Sequence, residues 1–266
     1  MRKRTGDGIR EMRNIYIFTG KNKDPDGSCR MEAERVIRQS GGGTVGSPDK
    51  AEAILSLGGD GTMMRAAHYA VLHNIPLIGV NLGRIGYLTE LDRKDIALIS
   101  RLISEDFEYD ERMALDVSCS GGESFFAFND AVIRAASTHM VSVSVECDGS
   151  AVNAYRGDGL IFSTPTGSTA YSMSAGGSVI DPGLKCICLT PICPQALTAR
   201  PLVFSPERRL DAEVSGSDCI LTVDGETGVR LKDGSVVSVS RSERTVKLIK
   251  LRNEEFFGVL RKKLAY

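Results

Sequence analysis

The sequence predicts an α/β N-terminal domain with a parallel sheet, followed by a β-rich, sandwich-like C-terminal domain. In the first hundred residues, short apolar runs alternate with segments of helical periodicity, which is the pattern of parallel βαβ units. After about residue 105, short β-rich runs follow one another with Gly, Ser and Asp between them. We therefore place the first domain at 1–104 and the second at 105–250. We expect the tail, 251–266, to pack back on the first domain.

Three strands and three helices are predicted in the first domain. The apolar runs IYIF, ILSL and LIGV lie at 15–18, 54–57 and 77–80. Helical periodicity spans 29–39, about 60–73, and 93–104. Three glycines at 41–43 end the first helix, and Asn74 with Pro76 ends the second.

Nine short strands are predicted in the second domain. They share β-branched or aromatic residues bounded by turn residues, and they lie at 113–119, 125–128, 131–134, 141–147, 159–163, 186–190, 219–224, 235–240 and 244–250. The tail then has the periodicity of an amphipathic helix from Glu254 to Leu264.

Composition and charge exclude several classes of protein. The chain has 266 residues, with 33 Lys and Arg against 34 Asp and Glu, so its formal net charge is -1. This balance gives no support to bulk electrostatic binding of nucleic acid or of an acidic membrane. No apolar run approaches the length of a membrane span, and the basic N-terminus lacks the apolar stretch of a secretory signal. We expect a cytoplasmic protein.

The cysteines predict packing thiols rather than a metal centre. There are 7 of them without a CxxC motif, beside 3 histidines, so a zinc site is not expected. We expect these thiols to be reduced, as is usual in the cytoplasm.

Glycine is over-represented, and its clusters predict ligand sites. The chain has 28 glycines, more than the typical ~7% of residues. One cluster, Gly58-Gly59-Asp60-Gly61-Thr62, follows a buried strand and precedes a helix, where backbone amides and the helix N-terminus favour a phosphate. Because a carboxylate repels phosphate, Asp60 would accept a proton from a hydroxyl or help to hold a metal ion. The alternative is a tight strand–helix turn with Asp60 as its N-cap.

Two other nucleotide motifs are not supported. The string Gly41-x-Gly43-x-x-Gly46 has dinucleotide spacing, but it follows a helix and precedes a strand, which is the reverse of the required context. The P-loop pattern G-x-x-x-x-G-K-[ST] does not occur in the sequence.

A second glycine-bearing stretch, 157–177, reads GDGLIFSTPTGSTAYSMSAGG. It joins a strand to a turn rich in hydroxyls, which Pro165 and Gly167 shape, and a helix is expected after Thr169. Small side chains and free amides suit a nucleotide site, where Tyr171 could pack on adenine and the hydroxyls could bond base or ribose edges. The alternative is a Ser/Thr-rich surface loop.

Two shorter features carry little information alone. Asn129-Asp130 follows FFAF and offers an amide and a carboxylate at a strand end. Val223-Asp224-Gly225-Glu226 ends the strand CILTV. A plain turn and an ordinary hairpin turn are the simpler interpretations of these two features.

Together, these motifs closely resemble those of the NAD kinases, whose fold is also that of the diacylglycerol kinases. The resemblance runs from about residue 54 to the C-terminus, and it depends on GGDGT (58–62), NLGRIGYLTE (81–90), FND (128–130), YRGDGLIFSTPTGSTAYSMSAGG (155–177), TARPLVF (198–204), VDGE (223–226) and the tail FFGVLRKKL. GGDGT alone is shared with lipid kinases and 6-phosphofructokinases, whereas the stretch 157–177 is highly specific.

The resemblance implies transfer of the γ-phosphoryl group of ATP, or of a phosphoryl group of polyphosphate, to the 2′-hydroxyl of the adenosine ribose of NAD. Mg²⁺ or another divalent cation would accompany the donor, and Asp60 would be the general base; no metal ligand is assigned to the protein. The residues implied to bind NAD are Asp60, Gly61, Arg65, Asn129, Asp130, His139, Arg156, Asp158, Thr169, Ala170, Tyr171, Ser174 and Glu226. Many members carry Gln where this chain has Glu226.

The resemblance also implies a homodimer or homotetramer with sites near subunit contacts. Within the site, we expect the turn 58–62 and the segment 164–174 to face each other across one cleft. Two alternatives stay open: a kinase of a lipid or sugar that uses the same GGDGT loop, and a non-catalytic sensor that binds dinucleotide. The stretch 157–177 argues against the first, and the intact Asp60 argues against the second.

Overall fold

The computed structural model describes residues 12–84, 86–104, 106–216, 218–252 and 256–264. The chain divides into two compact units, the first formed by Met1–Arg112 with Val246–Tyr266 and the second by Met113–Thr245. The C-terminal segment therefore returns to the unit in which the chain starts.

A parallel sheet forms the centre of the first unit. Its strands are β1 (Asn14–Thr19), β2 (Gly43–Val45), β3 (Ala53–Gly58), β4 (Leu77–Asn81) and β5 (Leu91–Asp92). They pair in parallel in the order β2-β1-β3-β4-β5. Every residue of β3 and β4 is buried, as is usual in a parallel sheet that is covered on both faces. The predicted parallel sheet is confirmed.

The described residues contain the α-helices α1 (Ser28–Gln39), α2 (Asp60–Leu72), α3 (Ser100–Ile103), α4 (Tyr171–Ser174) and α5 (Phe256–Leu264). Helix α1 connects β1 to β2 and α2 connects β3 to β4, whereas α4 lies in the second unit. The predictions at 29–39 and about 60–73 are confirmed as α1 and α2. Of the predicted tail helix, α5 covers 256–264, while 254 and 255 lie outside the described residues.

The predicted helix at 93–104 is confirmed, but most of it is not an α-helix. Arg93–Ile99 is a 3₁₀ helix, and only α3 continues as an α-helix. The reason is visible in the spacing of the buried side chains, because Ile96, Ile99 and Leu102 recur every three residues. A helix with three residues per turn places such a series on one face.

Two sheets form the second unit. The first has the antiparallel order β10-β9-β14-β17, with β6 paired to β17 and to β7; the second has the antiparallel order β13-β12-β11-β8-β15-β16. The strands are β6 (Glu108–Cys119), β7 (Ser124–Ala127), β8 (Asp130–Ala135), β9 (Val141–Cys147), β10 (Ser150–Gly157), β11 (Gly159–Ser163), β12 (Ile187–Ile192), β13 (Leu202–Phe204), β14 (Leu210–Ser215), β15 (Cys219–Val223), β16 (Glu226–Leu231) and β17 (Val236–Lys250).

Alternate residues of both sheets share one apolar core. Val141, Val143 and Val145 of β9 belong to the same buried cluster as Leu160 and Phe162 of β11. Two sheets that bury alternate residues against each other form a sandwich, so the sandwich-like prediction is confirmed.

Several strands differ from the prediction. The runs 235–240 and 244–250 belong to the single strand β17, because the polar residues between them stay extended. The strands β2, β5, β10, β13, β14 and β16 were not predicted. In β10 most residues are exposed, so apolar alternation is weak, whereas Leu210, Ala212 and Val214 alternate clearly in β14 and should have predicted it.

Among the described residues, no helix is long and apolar enough to cross a membrane.

Candidate active site

The glycine-rich turn 58–62 joins β3 to α2 by a close approach of Gly58 to Thr62. A Cβ at Gly58 would lie 2.2 Å from Thr62 Oγ1, so a larger residue would displace the buried Thr62 side chain. Gly59 is the N-cap residue, and α2 begins at Asp60 without a side-chain cap. The alternative in which Asp60 is the N-cap is therefore wrong. The first N–H groups of α2 have no partner within the helix and favour an anion.

Two backbone N–H groups hold the Asp60 carboxylate. The N–H of Tyr87 donates to Oδ2 at 2.8 Å, and the N–H of Leu88 donates to Oδ1 at 3.1 Å. The motifs GGDGT and NLGRIGYLTE therefore form one structural element. A carboxylate oxygen has more than one acceptor position, so Asp60 can still accept a hydrogen bond from a hydroxyl.

The C-terminal helix α5 brings a cation to the same carboxylate. Lys263 Nζ lies 3.7 Å from Asp60 Oδ2 and 3.6 Å from the centroid of the Tyr87 ring. Burial and the charge of Asp60 raise the pKa of the Tyr87 hydroxyl. The tail motif FFGVLRKKL thus contributes to the surroundings of Asp60, which the sequence did not reveal.

Gly61 and Arg65 lie at the start of α2. They are four residues apart, so they share one face of the helix, and both are exposed. This placement puts a guanidinium about one turn from the helix N-terminus, where it can add to the attraction for phosphate.

Three motifs that are far apart in the sequence meet in the second unit. Thr164 Oγ1 donates to the carbonyl of Phe128 at 2.8 Å, and the N–H of Thr164 donates to the carbonyl of Asn129 at 2.9 Å. A Cβ at Gly167 would lie 2.1 Å from the Asn129 carbonyl oxygen. The third motif, VDGE, makes contact through Asp224, whose N–H donates to the carbonyl of Asp130 at 2.9 Å. We call Phe128, Asn129, Asp130, Thr164, Gly167 and Asp224 the FND cluster.

The strand register explains why these motifs meet. β8 lies between β11 and β15, and it pairs Asp130 with Ser163 and Ala131 with Val223. Because both neighbours are antiparallel to β8, the start of β8 meets the ends of β11 and β15. The turns that follow those two strands therefore begin beside Asn129 and Asp130.

The side chains of Asn129 and Asp130 differ from those of a plain turn. Asn129 Oδ1 is buried and has no hydrogen-bond partner among the described residues, which is uncommon for a buried polar atom. The Asp130 carboxyl is 6% exposed. Burial, together with the negative charge of Asp224, raises the pKa of Asp130 to about 7. Asp130 can therefore hold a proton near neutral pH.

Several hydroxyls of the segment 164–174 are used within the protein. Besides Thr164, the Ser168 hydroxyl donates to the Pro165 carbonyl at 2.7 Å, and Ser172 Oγ lies 2.9 Å from Thr190 Oγ1. These three hydroxyls therefore already have partners within the protein. Each of these three side chains is buried, and they stabilise the turn.

The remaining predicted residues of this segment face outward or are half-buried. Tyr171 and Ser174 are exposed, whereas Thr169 and Ala170 are half-buried. The exposed ring of Tyr171 stands at the start of α4, immediately after the turn that contacts Asn129. Glu226 is exposed at the start of β16, two residues after Asp224. These positions are close in the chain to the FND cluster.

His139, Arg156 and Asp158 lie at the opposite end of the strands from the FND cluster. Gly157 pairs with Val141, so Arg156 and Asp158, which flank Gly157, lie at the strand end that His139 precedes. At the same end, the Asp158 carbonyl accepts the N–H of Ala135 at 3.0 Å. Along β11, this end is separated from Ser163 by about 13 Å at ~3.3 Å per residue. All three side chains are exposed.

Asp224 is the residue that the sequence reasoning missed in this unit. It accepts the N–H groups of Phe128, Asn129 and Asp130 at 2.8, 2.7 and 3.1 Å. The Asp-Gly pair after an apolar strand correctly signals a hairpin turn. The three donors lie more than 90 residues upstream, so no local pattern indicates them.

The described residues contain no group of three or more His, Cys, Asp or Glu side chains placed to hold a metal ion. Both oxygens of Asp60 already accept backbone N–H groups. The residues around the glycine turn therefore fit a cation that arrives on the phosphates of a substrate, rather than one with a full set of protein ligands.

A carboxylate held by two backbone N–H groups beside a helix N-terminus is the arrangement expected of a kinase that acts on a hydroxyl. The family model described as ATP-NAD kinase N-terminal domain matches residues 21–107, and the model described as ATP-NAD kinase C-terminal domain matches 128–251. A protein named NAD kinase from Syntrophotalea carbinolica is 39% identical over 227 residues, which cover 82% of this chain and 80% of that protein. The chain belongs to the NAD kinase family.

Two solved structures resemble this chain. The crystal structure of an NAD kinase from Archaeoglobus fulgidus in complex with ATP has a TM-score of 0.74 and 26% identity, and the match covers 93% of this chain and 98% of that chain. The crystal structure of yeast NADH kinase complexed with NADH has a TM-score of 0.86 and 21% identity, and the match covers 96% of this chain and 88% of that chain. At that identity, the second likeness supports the fold alone.

Proposed function

We propose that this protein transfers the γ-phosphoryl group of ATP to the 2′-hydroxyl of the adenosine ribose of NAD, which makes NADP and ADP. The observation that carries the proposal is the Asp60 carboxylate, held by the N–H groups of Tyr87 and Leu88 at the N-terminus of α2. Membership of the NAD kinase family supports the identity of the acceptor.

The chemistry requires a proton acceptor and a site for phosphates. The ribose oxygen forms a bond to the γ-phosphorus as the bond from that phosphorus to the ADP oxygen breaks, and the hydroxyl proton passes to Asp60. Because two hydrogen bonds fix the carboxylate, little of its orientation has to be arranged during the reaction. The N–H groups at the start of α2 and the Arg65 guanidinium attract the phosphates.

NAD is bound, in this proposal, mainly by residues of the second unit. Asn129 Oδ1 has no partner among the described residues and can accept a hydrogen bond from the nucleotide. Asp130 in its protonated form can donate one. The exposed ring of Tyr171 offers a face for adenine, with Gly61, Thr169, Ala170, Ser174 and Glu226 as further contacts.

Mg²⁺, or another divalent cation, belongs to the donor substrate in this proposal. When bound to ATP, it offsets the charge of the phosphate oxygens. Polyphosphate is the second donor to test, because it presents the same chain of charged phosphoryl groups to the N-terminus of α2 without a base to recognise.

The test is NADP formation by the purified protein with NAD, ATP and Mg²⁺, measured with an NADP-specific dehydrogenase. Asp60→Asn should lower kcat by roughly 10²–10⁴ while NAD binding, measured by calorimetry, stays largely intact. Asp49→Asn is the matched control, because Asp49 is an exposed aspartate in the first turn of the 3₁₀ helix Pro48–Lys50 of the same unit. Unchanged turnover in the Asp60 variant would remove Asp60 from the mechanism.

The same assay separates the two alternatives. A dinucleotide sensor would bind NAD without forming NADP in the wild-type protein. A kinase of a lipid or sugar would consume ATP only with its own acceptor, and again no NADP would form. Replacing ATP by polyphosphate in parallel reactions identifies the donor.

We further propose a homo-oligomer, a homodimer or homotetramer, in the cytoplasm. The position of His139, Arg156 and Asp158 supports the oligomer, because these predicted NAD contacts lie at the far end of β11 from the FND cluster. In an oligomer, this group can serve the site of a neighbouring copy. Light scattering on the purified protein measures the mass, and a monomer that turns over NAD would contradict the proposal.

A further inference from the structure

We propose that Asp224 is a positioning residue for NAD binding, because its carboxylate orders the backbone from which the Asn129 and Asp130 side chains extend. The inference deepens the proposed function and rests on it. Asp224 itself is not among the residues expected to contact NAD, and it acts through its two neighbours.

The geometry is that of a carboxylate enclosed by N–H donors. Asp224 Oδ1 accepts from Asn129 at 2.7 Å and from Asp130 at 3.1 Å, and Oδ2 accepts from Phe128 at 2.8 Å. Hydrogen bonds to an ionised acceptor are stronger than those between neutral groups. Three consecutive peptide groups are therefore held in one conformation.

The turn that carries Asp224 is built to deliver this carboxylate. Asp224 and Gly225 have φ values of 51° and 77°, which is the pattern of a tight hairpin turn with two left-handed residues. The Asp224 N–H also donates to the Asp130 carbonyl at 2.9 Å. Asp224 thus contacts the chain at 128–130 with both its backbone and its side chain.

An amide could not replace this carboxylate. Asparagine has one acceptor oxygen and an NH₂ group, so one of the three N–H donors would face another donor. The substitution Asp224→Asn therefore removes the negative charge and at least one hydrogen bond while it keeps the size of the side chain.

The carboxylate has a second effect, on the proton of Asp130. Burial of Asp130, together with the negative charge of Asp224, raises the pKa of Asp130 to about 7 and so favours its protonated form near neutral pH. On β11 the residue opposite Asp130 is the neutral Ser163, and on β15 the residues next to the turn are Thr222 and Val223. Among the described residues, Asp224 is the charged group that acts on Asp130. A protonated Asp130 can donate a hydrogen bond to NAD, and an ionised one cannot.

The experiment measures the dissociation constant of NAD by calorimetry from pH 5 to 9. In the wild type, we expect weaker binding as pH rises through about 7. In Asp224→Asn, binding should weaken about tenfold at low pH, and the midpoint of the pH dependence should move about one pH unit lower, because a like charge has been removed. In Asp130→Asn, the pH dependence should vanish.

Asp233→Asn is the matched control. Asp233 is also followed by a glycine with positive φ, in the turn between β16 and β17 of the same unit, and its carboxylate accepts the N–H of Gly216 at 2.9 Å. This exposed aspartate is outside the FND cluster, so its variant should bind NAD as the wild type does at every pH.

A merely structural role would weaken binding equally at all pH values and leave the midpoint in place. In a folded Asp224→Asn protein, an unmoved midpoint overturns the effect on the Asp130 proton, and NAD affinity equal to that of the wild type at low pH overturns the ordering of 128–130. If this variant does not fold, Asp130→Asn decides, since a retained pH dependence overturns the inference and its loss supports it. Because binding is measured without turnover, wild-type protein that binds NAD but forms no NADP contradicts only the proposed function. Absence of NAD binding contradicts both.

Discussion

Replacing Gly86 by alanine tests whether the position of Asp60 limits catalysis. A Cβ at Gly86 would lie 2.1 Å from Asp60 Oδ1 and 2.8 Å from its Cγ. The carboxylate cannot simply rotate away, because Tyr87 and Leu88 hold both of its oxygens. It must instead retreat by about 1 Å, a displacement that can cost about 10²-fold in rate when it misplaces a reacting group.

We therefore expect Gly86→Ala to lower kcat about 100-fold, or about 2.7 kcal/mol in activation free energy. The KM for NAD should change little, because the predicted NAD contacts in the second unit are untouched. The assay is NADP formation at saturating NAD and ATP, with thermal unfolding recorded for each protein to show that the variant is folded.

Gly83→Ala is the matched control for this prediction. Gly83 lies three residues upstream in the same segment, yet a Cβ there meets no described atom within 4 Å. Its kcat should equal that of the wild type. A folded Gly86→Ala protein with normal kcat would show that the position of Asp60 does not limit catalysis, and so would an equal loss in both variants.

Two further predictions concern the second unit. Asp130 has a folded-state pKa of about 7 against an ordinary value of 3.8, so between about pH 4 and pH 7 unfolding releases a proton. The unfolding free energy should fall by an amount on the order of 4 kcal/mol as pH rises through this window. Urea titrations of Asp130→Asn should show no such fall. Equal pH profiles in the variant and the wild type would contradict the raised pKa of Asp130. For the proposed oligomer, mixed oligomers of Asp60→Asn with Asp158→Ala should regain activity that neither variant has alone, and failure of mixed oligomers to do so would place both residues in one copy's site.

The parts that sequence predicts well depend on contacts between near neighbours in the chain. The strand β3, the glycine turn and α2 follow from an apolar run, consecutive glycines and helical periodicity within 20 residues or so. The alternating strands of the sandwich, such as β9 with its buried Val141, Val143 and Val145, are equally local. At Arg93–Ile99 the sequence indicates a helix but not its type, because a spacing of three residues between buried side chains fits a 3₁₀ helix and a spacing of 3.6 fits an α-helix.

The parts that sequence misses depend on which partner a polar group finds. Thr164, Ser168 and Ser172 have hydroxyls as Ser174 does, yet packing turns the first three inward. Nothing within the turn itself distinguishes a buried hydroxyl from one that faces a ligand. For Asp224 the partner is a strand end far upstream, and only the strand order β11-β8-β15 brings the two together.

Both units contain a carboxylate held by backbone N–H groups, but the two carboxylates have different proposed roles. In each, a carboxylate accepts backbone N–H groups from a segment distant in the sequence, and a glycine allows the close approach: Gly86 beside Asp60, and Gly167 beside Asn129. In the first unit the held carboxylate is itself the proton acceptor of the proposed reaction. In the second unit the held carboxylate is Asp224, which accepts the N–H groups. Burial and the charge of Asp224 raise the pKa of the neighbouring Asp130. Asp60 thus offers acceptor oxygens to the proposed reaction, whereas Asp130, whose pKa is raised to about 7, can donate a hydrogen bond, although both are the same residue type.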